Sequence, residues 1–411
     1  MTRGALVAVA VMSLARSAQA NITLYDRESW TLSIGGRTQG FYSFASGDAF
    51  PRGEPAFFIG EGPVGAVGGM DNKFTTSRLR GGWAANMFGL TVTNQINDCL
   101  KATGRVSFWF TVEGDQTKGN NNDNGSLDIR QGFVKLEGCW GGVLLGRNLG
   151  LHSRGSLLQD AFISADEYSV GSPCSITGLG ITCGQVGYGV LMPGFNAGIV
   201  YNTPEWHGFT LSVGGYDPRR IGPDTGGPSS YGQTPLPRLE AEAVEHWERS
   251  SLTVDLFTNG MWQKAGQTGG EATIEAYGFG YGGRIGLGPA KLGFVGGWDH
   301  GGGMYVPLGD VAIDAEGHLR NVATYWGQAM YSIGPVDLTG GVGTARMYAT
   351  AADNADPMVS LIKRHLGING AVLWHLGPVV LVAQYFRMVH TWHRGQEQAI
   401  NVFNTGATFN W

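Results

Sequence analysis

Beyond its first twenty residues, the 411-residue chain has no run of eighteen or more apolar residues, so no helix of bilayer-spanning length can be drawn in it. Charge is also scarce. Asp, Glu, Lys and Arg make up 15% of the residues, and acids outnumber bases 33 to 28. Nucleic acid is excluded as a partner, because binding a polyphosphate needs concentrated positive charge. There are four cysteines, Cys99, Cys139, Cys174 and Cys183, and none has the C-x-x-C spacing of a zinc site. No motif presents an activated nucleophile and no acid is paired with a histidine, so no assembled catalytic group is visible and no cofactor is called for.

The amino terminus has the grammar of an export signal. Arg3 precedes an apolar stretch from Ala5 to Ala15, and Ser17-Ala18-Gln19-Ala20 places small residues where a signal peptidase reads. Residues 1–20 are therefore expected to be a signal peptide, with an uncleaved signal anchor as the alternative. Removing them removes Arg3 and Arg16 and no acid, leaving 26 bases against 33 acids and a net charge of −7. Four cysteines then fit an oxidising compartment. Glycine (68) and aromatics (12 Trp, 14 Tyr, 19 Phe) are abundant although overall hydrophobicity is modest, which suits a sheet with one wet and one greasy face. No linker or shift of composition divides residues 21–411, which are expected to form one domain.

Many segments carry apolar residues at every second position, the period of a strand and not of a helix. Val106, Phe108 and Phe110 alternate with Ser107 and Trp109; Leu252, Val254 and Leu256 alternate with Thr253 and Asp255; Leu366, Ile368, Val372 and Trp374 are set against His365 and Asn369. The last twelve residues follow the same rule and stop on an aromatic. Phe403, Thr405, Ala407, Phe409 and Trp411 share one side, and Asn404, Thr408 and Asn410 share the other. Tight turns at Gly288-Pro289, Gly334-Pro335 and Gly377-Pro378 alternate with eight longer polar stretches. Eight hairpins imply about sixteen strands, and short turns on one side with long loops on the other mark an all-β fold, a transmembrane antiparallel β-barrel of the outer-membrane type.

On this strand map Cys99 lies at the turn joining the second and third strands, and Cys139 at the turn joining the fourth and fifth. Three pairings of four cysteines are possible in principle. The map favours Cys99 with Cys139 across the periplasmic rim, and Cys174 with Cys183 within one loop.

Asp128 to Asn148, DIRQGFVKLEGCWGGVLLGRN, resembles the arginine-led strand, tight turn and Leu-Gly-Arg strand that precede the constriction loop of trimeric general diffusion porins. Thr76-Ser77-Arg78-Leu79-Arg80, the aromatic terminus and the strand count extend the likeness. The resemblance implies a water-filled channel in the bacterial outer membrane, a homotrimer set in lipid and lipopolysaccharide, passing small hydrophilic solutes and ions. It also implies an inward-folded third loop, here about residues 149–185. Matched to the family's motif, Arg37, Arg78, Arg80 and Arg130 are the wall arginines of the narrow zone. Parity agrees, since Trp30, Leu32 and Ile34 take the lipid side and leave Arg37 on the water side. An arginine facing lipid at mid-bilayer would cost about 2–4 kcal/mol. Opposing acids are expected in the loop, at Asp160, Asp166 and Glu167; the alternative is that these acids are ordinary loop surface. The family's Pro-Glu-Phe-Gly-Gly element survives here only as Ala-Asp-Glu-Tyr-Ser-Val-Gly.

Other motifs are set aside or held as alternatives. Gly278 to Gly283 satisfies G-x-G-x-x-G but sits inside a strand pattern, not between a strand and a helix. Asp115 and Asp123, with Asn120 to Asn122, could offer oxygen to calcium, but the spacing is not that of an EF-hand and a solvated polar loop is the preferred reading. Gly114 to Ser126 is the expected intersubunit loop by resemblance. His390 and His393 are a weak metal pair, and Trp392 between them is assigned to an aromatic girdle. Two rival functions remain. One is a substrate-selective channel, for sugars or anions, with Trp109, Tyr277 and Tyr281 given inward parity; the other is a plugged barrel acting as an anchor or adhesin.

Overall fold

The computed structural model describes residues 22–48, 73–80, 86–110, 128–160, 185–222, 230–308, 310–359 and 361–411. The strands are β1 (Ile22–Arg27), β2 (Trp30–Asp48), β3 (Lys73–Arg80), β4 (Asn86–Asn97), β5 (Leu100–Phe110), β6 (Asp128–Gly138), β7 (Gly141–Leu149), β8 (Phe195–Asn202) and β9 (Phe209–Tyr216). They continue with β10 (Arg238–Arg249), β11 (Leu252–Gly266), β12 (Thr273–Leu287), β13 (Ala290–His300), β14 (Asn321–Ile333), β15 (Val336–Tyr348), β16 (Ile362–Leu376), β17 (Val379–Trp392) and β18 (Glu397–Asn410). Two short helices, α1 (Arg154–Gln159) and α2 (Ala351–Ala355), lie in loops. Among the described residues no helix is long and apolar enough to cross a membrane.

Each strand from β4 to β18 pairs antiparallel with the next, and β18 returns to β2 with Phe403 opposite Phe44, which closes the ring. β3 and β4 pair with successive halves of β2, at residues 41–48 and 30–37, and so share one position. β1 runs along residues 30–34 of β2 on the flank that β18 occupies over 37–47, so the two ends of the described chain meet at one seam. The eighteen segments therefore fill sixteen staves. Turn chemistry sets one rim: Gly288, Gly334 and Gly377 adopt φ of 56°, 56° and 64°, left-handed values that a Cβ would oppose.

The two faces follow the alternation. Phe403 and Phe409 are exposed on the outer wall, whereas Asn404 and Thr408 are buried on the inner one. There Thr408 Oγ1 donates to Gln39 Oε1 (3.0 Å) across the seam, and Asn404 Nδ2 to Gln384 Oε1 (3.1 Å) on β17. Every stave carries outward apolar side chains, and a continuous apolar wall of this extent is stable only against lipid. Cys99 and Cys139 form a disulfide with a Cα separation of 5.5 Å, tying two neighbouring hairpins at the tight-turn rim.

Three expectations are corrected. Tyr277 and Tyr281 face outward, each 46% exposed, because Gly278, Gly280 and Gly282 take the lumenal positions of β12. Trp392 is buried with Met347, Leu361 and Ile362 and belongs to no girdle. The inner wall is not uniformly polar: Leu373, Val380, Val382, Phe386, Met388 and Val402 all point inward and are buried. They are covered by a loop that treats this part of the lumen as a core.

At the rim opposite the tight turns, residues 301–320 and α2 form a packed cap. Arg320, 6% exposed, makes two hydrogen bonds to the Asp353 carboxylate (2.7 and 2.8 Å) and donates to the carbonyls of Val311 and Ile313. Burial works against the charged form of Asp353, but the hydrogen bonds from Arg320 and the Thr350 backbone outweigh it and hold the carboxyl below its usual range.

Candidate functional site

The inward loop is anchored by residues that strand parity points into the lumen. Along β10, Arg238, Glu240 and Glu242 alternate with Leu239, Ala241 and Ala243, and the three charged side chains are buried. Glu240 Oε2 accepts from the backbone N–H groups of Leu151 (2.7 Å) and His152 (3.0 Å), while its Oε1 accepts from Arg238 Nε (2.7 Å). Arg154 opens α1 and donates to Glu242 Oε2 from Nε (2.7 Å) and from Nη2. His152 Nε2 lies 2.8 Å from Asp299 Oδ1 on β13, and Ser153 N donates to Asn259 Oδ1 on β11 (3.1 Å). A Cβ on Gly155 would stand 2.3 Å from the Phe257 ring, so only glycine lets α1 seat this close.

The returning limb packs on the next part of the wall. Val186, Val190 and Met192 join Trp326, Leu373 and Val380 in one buried cluster. Tyr188 places its hydroxyl 2.8 Å from His390 Nε2, and His365 Nδ1 lies 3.0 Å from the Gly187 carbonyl. Asp160 joins the two limbs, accepting from Gln185 N (3.1 Å) and Gln328 Nε2 (3.4 Å). Both limbs therefore sit inside the ring, one against β10–β13 and the other against β14–β17. The segment is longer than residues 149–185, since β8 begins only at Phe195.

The far wall carries a row of cationic and aromatic groups. In register, Arg37 on β2 lies opposite Met87 on β4, which lies opposite Trp109 on β5. At a strand spacing of about 4.8 Å, the backbones at Arg37 and Trp109 are roughly 10 Å apart across the strands, on the same face. Arg37 is 3% exposed on the inner face. A register shift opposite Ser107 and Phe108 leaves Arg130 as the extra residue between Ile129 and Gln131, a β-bulge that re-aims its side chain. Its guanidinium stands 5.0 Å from the Trp109 ring centroid and 5.7 Å from that of Phe195. Below it, Arg105 donates to Gln131 Oε1 (3.0 Å) and Thr91 Oγ1 (3.2 Å).

Arg37 and Arg130 are thus brought to the same stretch of wall, and Asp160 is held where the loop limbs join. Arg78 and Arg80 lie on β3 opposite Ser43 and Phe41 in register, but their side chains lie outside the described residues. Asp166, Glu167, Cys174, Cys183, Asp115 and Asp123, and the whole 114–126 loop, also lie outside them. Arg105, Glu240, Glu242 and Asp299 were missed in the sequence, although Arg105 alternates with Val106 and the two glutamates alternate with Leu239 and Ala241. His390 is occupied by Tyr188 and Gln398, and His393 Nε2 lies 3.3 Å from the Met347 carbonyl oxygen. Among the described residues no three His, Cys, Asp or Glu side chains group to hold a metal.

A family profile described as Gram-negative porin matches residues 5–410. No curated protein matches the sequence significantly. Among solved structures, the outer membrane channel DcaP of Acinetobacter baumannii is similar with a TM-score of 0.69 at 14% identity, covering 94% of this chain and 99% of that one. An anion-selective porin from Comamonas acidovorans gives 0.61 at 14% identity, covering 93% and 100%. The trimer form of OmpT from Vibrio cholerae gives 0.54 at 13% identity, covering 93% and 100%.

Proposed function

We propose that this chain, which belongs to the Gram-negative porin family, narrows its lumen between the Arg37–Arg130 row and the inward loop. As a porin of the bacterial outer membrane it is a channel for passive diffusion of small hydrophilic solutes, and its family is one of channels, not enzymes. The row Arg37, Met87, Trp109 with Arg130 stacked above it is the observation that carries the location. Arg78, Arg80, Asp160, Asp166 and Glu167 complete the proposed constriction. Charges of opposite sign across a narrow wet gap set up a transverse field, in which polar solutes exchange hydration for wall contacts and apolar ones must displace ordered water.

A sugar-stacking track has less support than the general channel, because Tyr277 and Tyr281 face lipid and leave Trp109 alone. The partners proposed are outer-membrane lipid and lipopolysaccharide around the wall, and two further copies of the chain. The trimer form of a structural neighbour supports the latter. The test is the reversal potential in a tenfold KCl gradient. The double variant R37Q/R130Q is expected to shift it toward cation preference, and D166N/E167Q toward anion preference. Reversal potentials unchanged in both would place the constriction elsewhere.

A further inference from the structure

Three arginines face out of the barrel, not into it. Arg346 on β15, Arg364 on β16 and Arg387 on β17 share outward parity with Val342, Ile368 and Tyr385, and all three are exposed. Each follows the apolar band of its strand as the chain is traced away from the tight-turn rim. Arg346 is ten residues beyond Val336, Arg364 twelve residues from Leu376 and Arg387 eight beyond Val379. A rise of about 3.3 Å per residue at a tilt near 40° puts them roughly 20–30 Å from that rim. This is the thickness of the hydrocarbon layer, so the arginines stand where the opposite leaflet's headgroups begin. Tyrosine marks the same level, as it does at membrane interfaces. The Arg346 guanidinium is 5.0 Å from the Tyr348 ring centroid, and Tyr385 is exposed two residues before Arg387.

Arg346 and Arg364 are direct cross-strand partners. Like charges in that position repel, and among headgroups they are screened less than in bulk water. Among the described residues no carboxylate forms an ion pair with either. In the same row Glu397 is two strands from Arg364 and accepts a hydrogen bond from Thr391 (3.3 Å). Arg387 donates to Asn401 Oδ1 (3.0 Å), a neutral acceptor, and lies within Coulombic reach of the Asp48 carboxylate, which is already paired with Lys73. Such a pair is stabilised by an anion placed between the two guanidiniums, and a phosphate monoester, with several acceptor oxygens for two planar forks, suits it best.

We propose that Arg346, Arg364 and Arg387 form a binding site for the phosphates of an outer-leaflet glycolipid headgroup. The site gives residues to the lipopolysaccharide contact proposed above, and it rests on the membrane-barrel reading. The rest of each lipid would lie along the apolar band beneath the arginines.

The test uses the purified full-length protein in non-ionic detergent, titrated with diphosphorylated lipid A, with dephosphorylated lipid A and with inorganic phosphate; retained lipid is counted by native mass spectrometry. Saturable retention of the diphosphorylated lipid is expected, at least tenfold weaker in R346Q/R364Q and unchanged in R249Q, a variant at the tight-turn rim. Equal retention of the dephosphorylated lipid, equal retention by R346Q/R364Q, or competition by millimolar inorganic phosphate would overturn the proposal. Channel conductance of R346Q/R364Q is the control. It persists if only the lipid site is wrong, and is absent from wild type as well if the barrel reading is wrong.

Discussion

Replacing Glu240 by alanine tests whether the loop is held by the contacts described. The side chain satisfies two loop N–H groups and the Arg238 guanidinium, all buried. Each buried donor left without a partner costs about 1–3 kcal/mol, and an orphaned buried charge about 3–5 kcal/mol. Lumenal water can enter the space and offset much of this, so we expect the seated loop to lose about 2–4 kcal/mol relative to the unseated one. Since about 1.4 kcal/mol is a factor of ten, the unseated population rises roughly 30- to 1000-fold. The assay is single-channel recording in planar bilayers, with heat-modifiable gel migration to show that the barrel has folded. E240A should show flickering open current and greater open-channel noise. E240Q, whose amide oxygen still accepts from the two N–H groups, should lie between it and wild type. A folded E240A with wild-type conductance and noise would refute the anchoring argument.

Other consequences are independent of that one. Gly155→Val places carbon inside the Phe257 ring and should unseat α1, reproducing the E240A noise without changing any charge. Removing the Cys99–Cys139 bridge, which spans 40 residues, should destabilise the barrel by up to about 4 kcal/mol on the loop-entropy estimate. It would be read as a lower unfolding temperature in detergent for C99S/C139S than for wild type, both without reductant. The carboxyl of Asp353 is held below its unfolded value, so its contribution is present above the unfolded pKa and lost as pH falls through the folded one. Protection factors of residues 301–320, taken relative to intrinsic amide exchange at each pH, should therefore fall on acidification below about pH 4, and R320A should show low protection at every pH.

Much of the fold was legible because a membrane barrel writes its geometry as alternation. Phe403 and Phe409 against Asn404 and Thr408 gave both faces of the closing strand, and the glycine-proline turns counted the hairpins. That count set Cys99 and Cys139 on neighbouring hairpins before any distance was known. Alternation failed where both faces of a strand are apolar. Val380 and Val382 alternate with Val379 and Leu381, so either face suits lipid, and their inward turn goes with a buried cluster that includes Val186 and Val190 of the loop. Tyr277 and Tyr281 were misread because a glycine–aromatic repeat gives no polar residue to fix the phase. Trp392 was misread because nothing local announces that the cap folds over it. At the site, the resemblance supplied Arg37 and Arg130, but the register that aligns Arg37 with Trp109 and the bulge that turns Arg130 onto it are tertiary facts. Glu240 and Glu242 were readable by parity alone, yet their partners lie about ninety residues away in a loop.

The central claim is a closed cylinder with a wet bore narrowed by its own loop. Single-channel conductance of the purified wild-type protein in planar bilayers tests it most directly. Stepwise, ohmic openings that scale with salt concentration are predicted, with closures in thirds if three copies assemble. Folded, membrane-inserted protein that carries no current at any salt concentration would contradict it.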